Sequence, residues 1–524
     1  MARKNISIGK KIVICLLIAT AFASAGALLG MDGLPEGHAL TREEFLVAVA
    51  KIFFAGESAP PGVNMPFADV DALKAGNEPY IALLYDRHVL GGIADGGRLY
   101  IRPDAEVTRQ DAAVFFARLL GAAPEEPVGF SDENEIAGYA GGYAAWAVRN
   151  GVAGDYPDGS FRPLGSVTAG EFTIFMERIL GFQQRNKNAV KTTAGAGSRG
   201  YADEIAVAAR FTQPYGVFAG ADGGLIVLDT YNSLLRVIRN GAVETITGGV
   251  LGADDNGFPV GGYLDGGLKS ALFRRPASGA LGANGDWFIA DSANHVVRLI
   301  RDGVAYTFCG TSEGYADGAD DEAKFNRPMA VALGKDGNLY VADTLNHCIR
   351  IIDPLGNART LAGVPGKEGF ADGPANAAMF RAPSGIAVAE DGAVFVADTG
   401  NHRIRKIENG RVTTIAGRDD GADGDGDPLG GFRDGLSSGA LFNLPMGLSL
   451  EKGVLYVADS GNNRIRGINL DAGETVTMAG TGEPGDKDGA ALAAMLHQPM
   501  GVFCREGILY IADTGNNKIK QMPL

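Results

Sequence analysis

From Phe211 to the end of the chain, one pattern recurs at intervals of about 52 to 62 residues. A unit of that length present in six copies must stack copy on copy, because one copy is too small to bury its own apolar face. The clearest copy reads Ala397-Asp398-Thr399-Gly400-Asn401-His402-Arg403-Ile404-Arg405. Its aspartate recurs as Asp229, Asp291, Asp343, Asp398, Asp459 and Asp513. Three residues later stands Asn232, Asn294, Asn346, Asn401, Asn462 or Asn516. Seven residues after the aspartate comes a base: Arg236, Arg298, Arg350, Arg405, Arg466 or Lys520.

Strands can be read around each copy. In the fourth, Ser384 to Ala389 is a short small-residue strand, and Ala393 to Asp398 an alternating one. Arg403 to Ile407 and Val412 to Ala416 follow, with Asp391-Gly392 and Asn409-Gly410 as turns. Four antiparallel strands per copy, six times over, predict an all-β six-bladed propeller. The 77 glycines, spread without a three-residue period, fit many short strands and tight turns. The sixth copy stops at Leu524 after its third strand. Ala189 to Ala194 resembles the outer strands that end at Ala416-Gly417 and Ala479-Gly480, so it is expected to supply the missing strand and lock the ring.

Ahead of the propeller the period changes to that of helices. Thr41-Arg42-Glu43-Glu44, Thr108-Arg109-Gln110-Asp111 and Thr168-Ala169-Gly170-Glu171 each place a capping threonine three residues before an acid. Apolar residues follow at helical spacing: Phe45, Val49 and Ile52; Ala112, Phe115 and Leu119; Phe172, Phe175 and Ile179. Three such helices predict an all-α bundle. Further helical patterns near Tyr80 to Val89 and Ile136 to Arg149 precede turn-rich segments, Gly91 to Pro103 and Gly151 to Pro163.

The first 30 residues read as a secretion signal: Arg3, Lys4, Lys10 and Lys11, an apolar run from Ile12 to Gly30, and a small-residue cleavage pattern at Ala23-Ser24-Ala25; the alternative is an uncleaved N-terminal membrane anchor, since the run is close to the shortest spanning length. Losing residues 1–25 removes four basic and no acidic side chains, taking the formal charge from −15 to −19. Such a chain repels nucleic acid. Cys15 leaves with the signal, and Cys309, Cys348 and Cys504 stand singly, so neither a disulfide framework nor a zinc site is expected. The resulting division is 1–30 signal, 31–182 helical region, 183–188 linker and 189–524 propeller.

The helical region resembles the S-layer homology family, on its threonine-arginine helix starts and on Asp155-Tyr156-Pro157-Asp158-Gly159-Ser160-Phe161-Arg162-Pro163. That resemblance implies a pseudo-threefold unit whose grooves bind secondary cell-wall polysaccharide, often bearing a pyruvyl ketal, with Arg42 and Arg109 as the cations. A guanidinium at a capped helix start suits a carboxylate. Ala169 departs from the pattern, and the first repeat lacks its leading half. The repeats resemble the NHL family, including a second element of an aromatic, Asp-Gly and Ala-x-Phe-x-x-Pro at Tyr263 to Gly266, Tyr315 to Gly318, Phe370 to Gly373 and Phe432 to Gly435.

Together these features predict a secreted cell-surface protein with no stable membrane insertion after signal cleavage. Its propeller is expected to bind a glycan, peptide or partner protein. The Asp-Gly and Asp-x-x-Asn segments are expected to share a carboxylate-rich rim suited to cations, amines or sugar hydroxyls. The alternative for each residue is structural, with Asp and Asn closing turns and the base pairing a carboxylate. His295, His347 and His402 share one repeat position, which Ser233, Asn463 and Asn517 fill elsewhere, and are assigned a structural role. No catalytic residue, metal or cofactor is assigned, since no nucleophile-base pair, HExxH or glutamate-histidine cluster appears. A metal-dependent lyase or lactonase-like hydrolase stands as the alternative, on fold analogy alone.

Overall fold

The computed structural model describes residues 34–59, 63–87, 89–120, 124, 128–154, 156, 158–221, 223–255, 257–418, 420–424 and 426–524. The secretion signal expected over residues 1–30 lies outside the described residues. The chain divides after Gln184 into two compact units. Among the described residues, no helix is long and apolar enough to cross a membrane.

The first unit holds helices α1 (Arg42–Phe53), α2 (Glu78–Asp86), α3 (Arg109–Leu120), α4 (Gly141–Arg149) and α5 (Ala169–Lys187). Thr41 and Glu44 form the full reciprocal cap of α1, and Thr168 with Glu171 does the same for α5. At α3 the Asp111 N–H donates to Thr108 Oγ1 at 3.3 Å. The carboxylate of Asp111 is instead drawn to Arg42 and Tyr139. Phe45 meets Phe115, Phe116 and Phe172 at 5.3–5.4 Å, so α1, α3 and α5 share one aromatic core. The all-α expectation needs one amendment: Gly96 and Gly97, both at positive φ, close a hairpin of Ile93–Asp95 with Arg98–Tyr100.

Three backbone bonds close this unit into a ring. The Leu40 N–H donates to Val167 O at 2.9 Å, Val167 N–H to Val107 O at 2.8 Å, and Val107 N–H to Leu40 O at 3.0 Å. All three side chains are buried. Ala169 and Gly170 donate to His38 O and Glu36 O, as Arg109 and Gln110 do to Gly165 O and Pro163 O.

The second unit is a six-bladed propeller. Its first blade runs Gly216–Ala219, Leu225–Asp229, Leu234–Arg239 and Ala242–Gly248 from the central channel outward. The fourth runs Gly385–Val388, Val394–Asp398, Arg403–Glu408 and Arg411–Ala416. The apolar cores lie between neighbouring blades. One packs Ala330 and Tyr340 of the third blade against Ile386 and Val396 of the fourth. Another packs Ala512 and Ile519 of the last against Val217 and Val227 of the first.

Closure follows the sequence expectation. Ala189–Ala194 pairs antiparallel with Lys518–Pro523 in the register Lys191↔Gln521, Thr192↔Lys520 and Ala194↔Ile519. Val190 and Ala194 are fully buried. Gly195 turns away at φ +108°, where a Cβ would stand 2.6 Å from Asn517 O, so only glycine fits there.

Candidate functional site

The twelve motif residues Asp229 to Asn516 do not form an open acidic rim. Each aspartate is buried and ties its own blade together. In the third blade, Asp343 Oδ1 accepts the Asn326 N–H at 2.7 Å, while Oδ2 accepts from Asn346 Nδ2 at 2.8 Å and Arg350 Nη1 at 3.0 Å. Arg350 also donates to Asp317 at 2.7 Å and to the carbonyls of Lys324 and Ala316. Its guanidinium lies 5.0 Å from the Tyr315 ring and 4.9 Å from that of Phe325. The second sequence element is therefore the cage of this arginine: one aromatic, an aspartate and a phenylalanine enclose it. The sixth blade holds Lys520 in that position, between Asp486, Asp488 and Asp513.

The Asp-Gly segments lie at the outer edge of the blades and not around the channel. Gly266–Gly267, Gly373–Pro374, Gly435–Leu436 and Gly489–Ala490 each add a two-residue strand there. Burial pushes Asp229 up to about 7 and Asp291 and Asp343 up to about 6, against the pull of their arginines. An aspartate so enclosed offers no oxygen to a ligand.

The remaining motif positions join blade to blade. A hydroxyl follows each aspartate, and Thr230, Thr344, Thr399, Ser460 and Thr514 donate to the proline carbonyl that opens the next blade. The position after the asparagine is left-handed, at φ 51–59°. Its side chain accepts an N–H from the next blade: Ser233 from Arg275, Asn463 from Gln498, and Asn517 from Gln213 across the closure. His295, His347 and His402 accept through Nδ1 from Arg327, Ala382 and Leu444 at 3.0–3.2 Å. The histidines are thus inter-blade acceptors and stand apart from any ligand cluster; among the described residues no group of three or more His, Cys, Asp or Glu side chains is placed to hold a metal ion.

Accepting at Nδ1 requires that nitrogen to be unprotonated, and burial lowers all three histidines below their ordinary value. A base whose folded pKa is depressed leaves stability intact above its unfolded value of about 6.5 and loses it as the pH falls below. The melting temperature is therefore expected to drop between pH 7 and pH 5, with about 1 kcal/mol at stake per lost bond. Replacing the three by asparagine, the residue the fifth and sixth blades use, should flatten that dependence. Equal pH profiles for the parent and the triple variant would contradict this.

In the helical unit the structure brings Arg42 and Arg109 to equivalent junctions. Arg42 donates to Ile101 O at 2.8 Å and to Asp111 at 3.3 Å. The Tyr139 hydroxyl donates to the other Asp111 oxygen at 2.7 Å, while 59% of that residue stays exposed. Arg109 donates to Phe161 O, Gly154 O and Glu171, and the Tyr156 hydroxyl also donates to Glu171. Arg162 stacks on the Tyr156 ring at 3.7 Å. Both guanidinium groups brace one repeat against the next; Arg109 is only 6% exposed. At the third junction Ala169 leaves Glu44 to His38, 3.2 Å away. Sequence reasoning missed Tyr139, whose partner Asp111 lies 28 residues earlier.

Comparison with known proteins agrees with this architecture. A model of the S-layer homology domain matches residues 66–113 and 129–173, a model of the NHL repeat matches 325–352, and one of the teneurin NHL domain matches 364–469. The chain carries S-layer homology repeats followed by an NHL-repeat propeller. It is 31% identical over 300 residues to the chloroplastic protein SUPPRESSOR OF QUENCHING 1 of Arabidopsis thaliana, covering 53% of this chain and 27% of that one. It is 34% identical over 88 residues to a cellulosome-anchoring protein of Acetivibrio thermocellus, covering 15% of this chain and 19% of that one. A probable peptidyl-alpha-hydroxyglycine alpha-amidating lyase of Caenorhabditis elegans is 27% identical over 184 residues, covering 35% of this chain and 47% of that one. The chain spans less than half the length of each of these relatives.

Proposed function

We propose that the S-layer homology unit holds this chain non-covalently to secondary cell-wall polysaccharide at the bacterial surface, and that the propeller is displayed there as a binding module. The observation that carries the anchoring is the pair of built junctions. Each combines an arginine, a carboxylate and a tyrosine ring: Arg42, Asp111 and Tyr139 at one, and Arg109, Glu171 and Tyr156 at the other. Carboxylates and guanidinium groups suit sugar hydroxyls and acidic substituents, and an exposed ring suits the apolar face of a sugar. The likeness to a cellulosome-anchoring protein supports the same reading. A binding role for the propeller is supported by its central channel, about 400 Å³ and lined mainly by apolar side chains together with Tyr215.

Because Arg42 and Arg109 also brace the fold, Tyr139→Ala is the cleaner probe. Retention of the full chain on purified wall polysaccharide should fall about tenfold, equivalent to about 1.4 kcal/mol, with an unchanged melting temperature. Arg42→Ala with Arg109→Ala should abolish retention. Full retention by both variants would sink the proposal.

A further inference from the structure

The inner strands enclose a channel of about 400 Å³ on whose wall, among the described residues, no Asp, Glu, Lys, Arg or His stands. Its character changes at the end where the inner strands begin. Met329, Met446 and Met500 stand there with Tyr215, one on each of four blades. Methionine adapts its shape to an apolar guest. Just outside, the residue before each blade's first proline adopts positive φ, 46–52°, which fixes a ring of Gln213, Arg275, Arg327, Ala382, Leu444 and Gln498.

That ring is two-sided. On the second and third blades it carries Arg275 and Arg327; on the fifth it carries Leu444, 44% exposed. Arg275 lies over the Tyr231 ring at 4.5 Å and leans on Asp254 at 3.5 Å. The Tyr231 ring is 5.9 Å from that of Tyr215. Arg327 is exposed, and among the described residues no carboxylate lies within ion-pair distance of it. The charges of both arginines reach the Tyr215 hydroxyl. On a chain of formal charge −15, two guanidinium groups beside an uncharged channel form a place where an anion meets attraction.

We propose that this mouth of the channel binds the carboxylate end of an elongated apolar ligand, with Arg275 and Arg327 holding the anion and the channel methionines taking the apolar body. This rests on the propeller being a binding module. The ligand is a free aliphatic acid or the C-terminus of an apolar peptide, which present the same chemistry.

The test is calorimetric titration of the full chain with octanoate, octanol and octyltrimethylammonium, and with one apolar peptide in free-acid and amidated forms. Octanoate should bind saturably and at least about tenfold more tightly than octanol or the ammonium. Arg275→Gln with Arg327→Gln should bring octanoate down to the octanol level with an unchanged melting temperature. A free-acid peptide that binds better than octanoate and loses that advantage on amidation identifies a chain terminus as the natural ligand; the opposite ranking identifies a free acid. Equal binding of octanoate and octanol, or octanoate binding unchanged in the double variant, overturns the site while leaving a binding propeller in place. Absence of saturable binding by every probe overturns the site as well, and wall retention through Tyr139 is unaffected by either result.

Discussion

Replacing Arg350 by alanine should cost the propeller about 3–5 kcal/mol, the penalty for breaking a buried ion pair from one side. Asp343 would remain fully buried with only Asn346 and one backbone N–H for partners, and the carbonyls of Lys324 and Ala316 would lose their donor. Arg350→Lys should cost clearly less, since Lys520 holds the same position in the sixth blade among three aspartates. The chain's two tryptophans make this measurable, because Trp146 lies in the helical unit and Trp287 in the second blade. With Trp146→Phe, urea unfolding followed by fluorescence reports the propeller. An unchanged midpoint for Arg350→Ala would show that the caged arginine contributes nothing to stability.

Deleting residues 189–194 should have a still larger effect. The deletion bares the edge of Lys518–Pro523 and removes Val190 and Ala194 from two different inter-blade cores. Because every core in the propeller lies between blades, one open seam leaves each neighbour less supported, as in other stacked repeats. The expected loss is comparable with the whole stability of a domain, about 5–15 kcal/mol. Amide exchange should quicken as far away as Leu339–Asp343 in the third blade. Faster exchange confined to the sixth blade would mean that the blades unfold independently.

Much of this was legible in the sequence because the strand and turn signals repeat in phase. The four strands read in the fourth copy from Ser384 onward coincide with observed strands to within a residue at each end. The likeness of Val190-Lys191-Thr192 to the other outer strands disclosed the closure. The aspartates misled, since a conspicuous acidic residue on a turn looks like a rim, and only its burial reveals the arginine behind it. The hydroxyl after each aspartate went unread although every copy carries one. For Thr230, Thr344, Thr399 and Ser460 its acceptor is a carbonyl 39 to 46 residues further on, a spacing that varies with the insertions between blades. In the helical unit, the segment before Thr41 receives the start of α5 on the backbone carbonyls of His38 and Glu36, for which no side-chain pattern exists, and adds the His38 side chain beside Glu44. The channel mouth was hidden for the same reason: residues from different blades meet there, and no local spacing announces it.

The ring closure is tested most directly by a single cross-link. Lys191 and Gln521 are direct register partners although 330 positions separate them, and both lie on the less buried face of the pair. With Cys504→Ser and the pair Lys191→Cys and Gln521→Cys, mild oxidation of the folded protein should join the two thiols within one chain and restrict its unfolded form to a loop, visible as faster migration under denaturing, non-reducing conditions. Thiols that stay free in the folded protein, or that link only between molecules, would contradict a propeller sealed by the segment preceding its first blade.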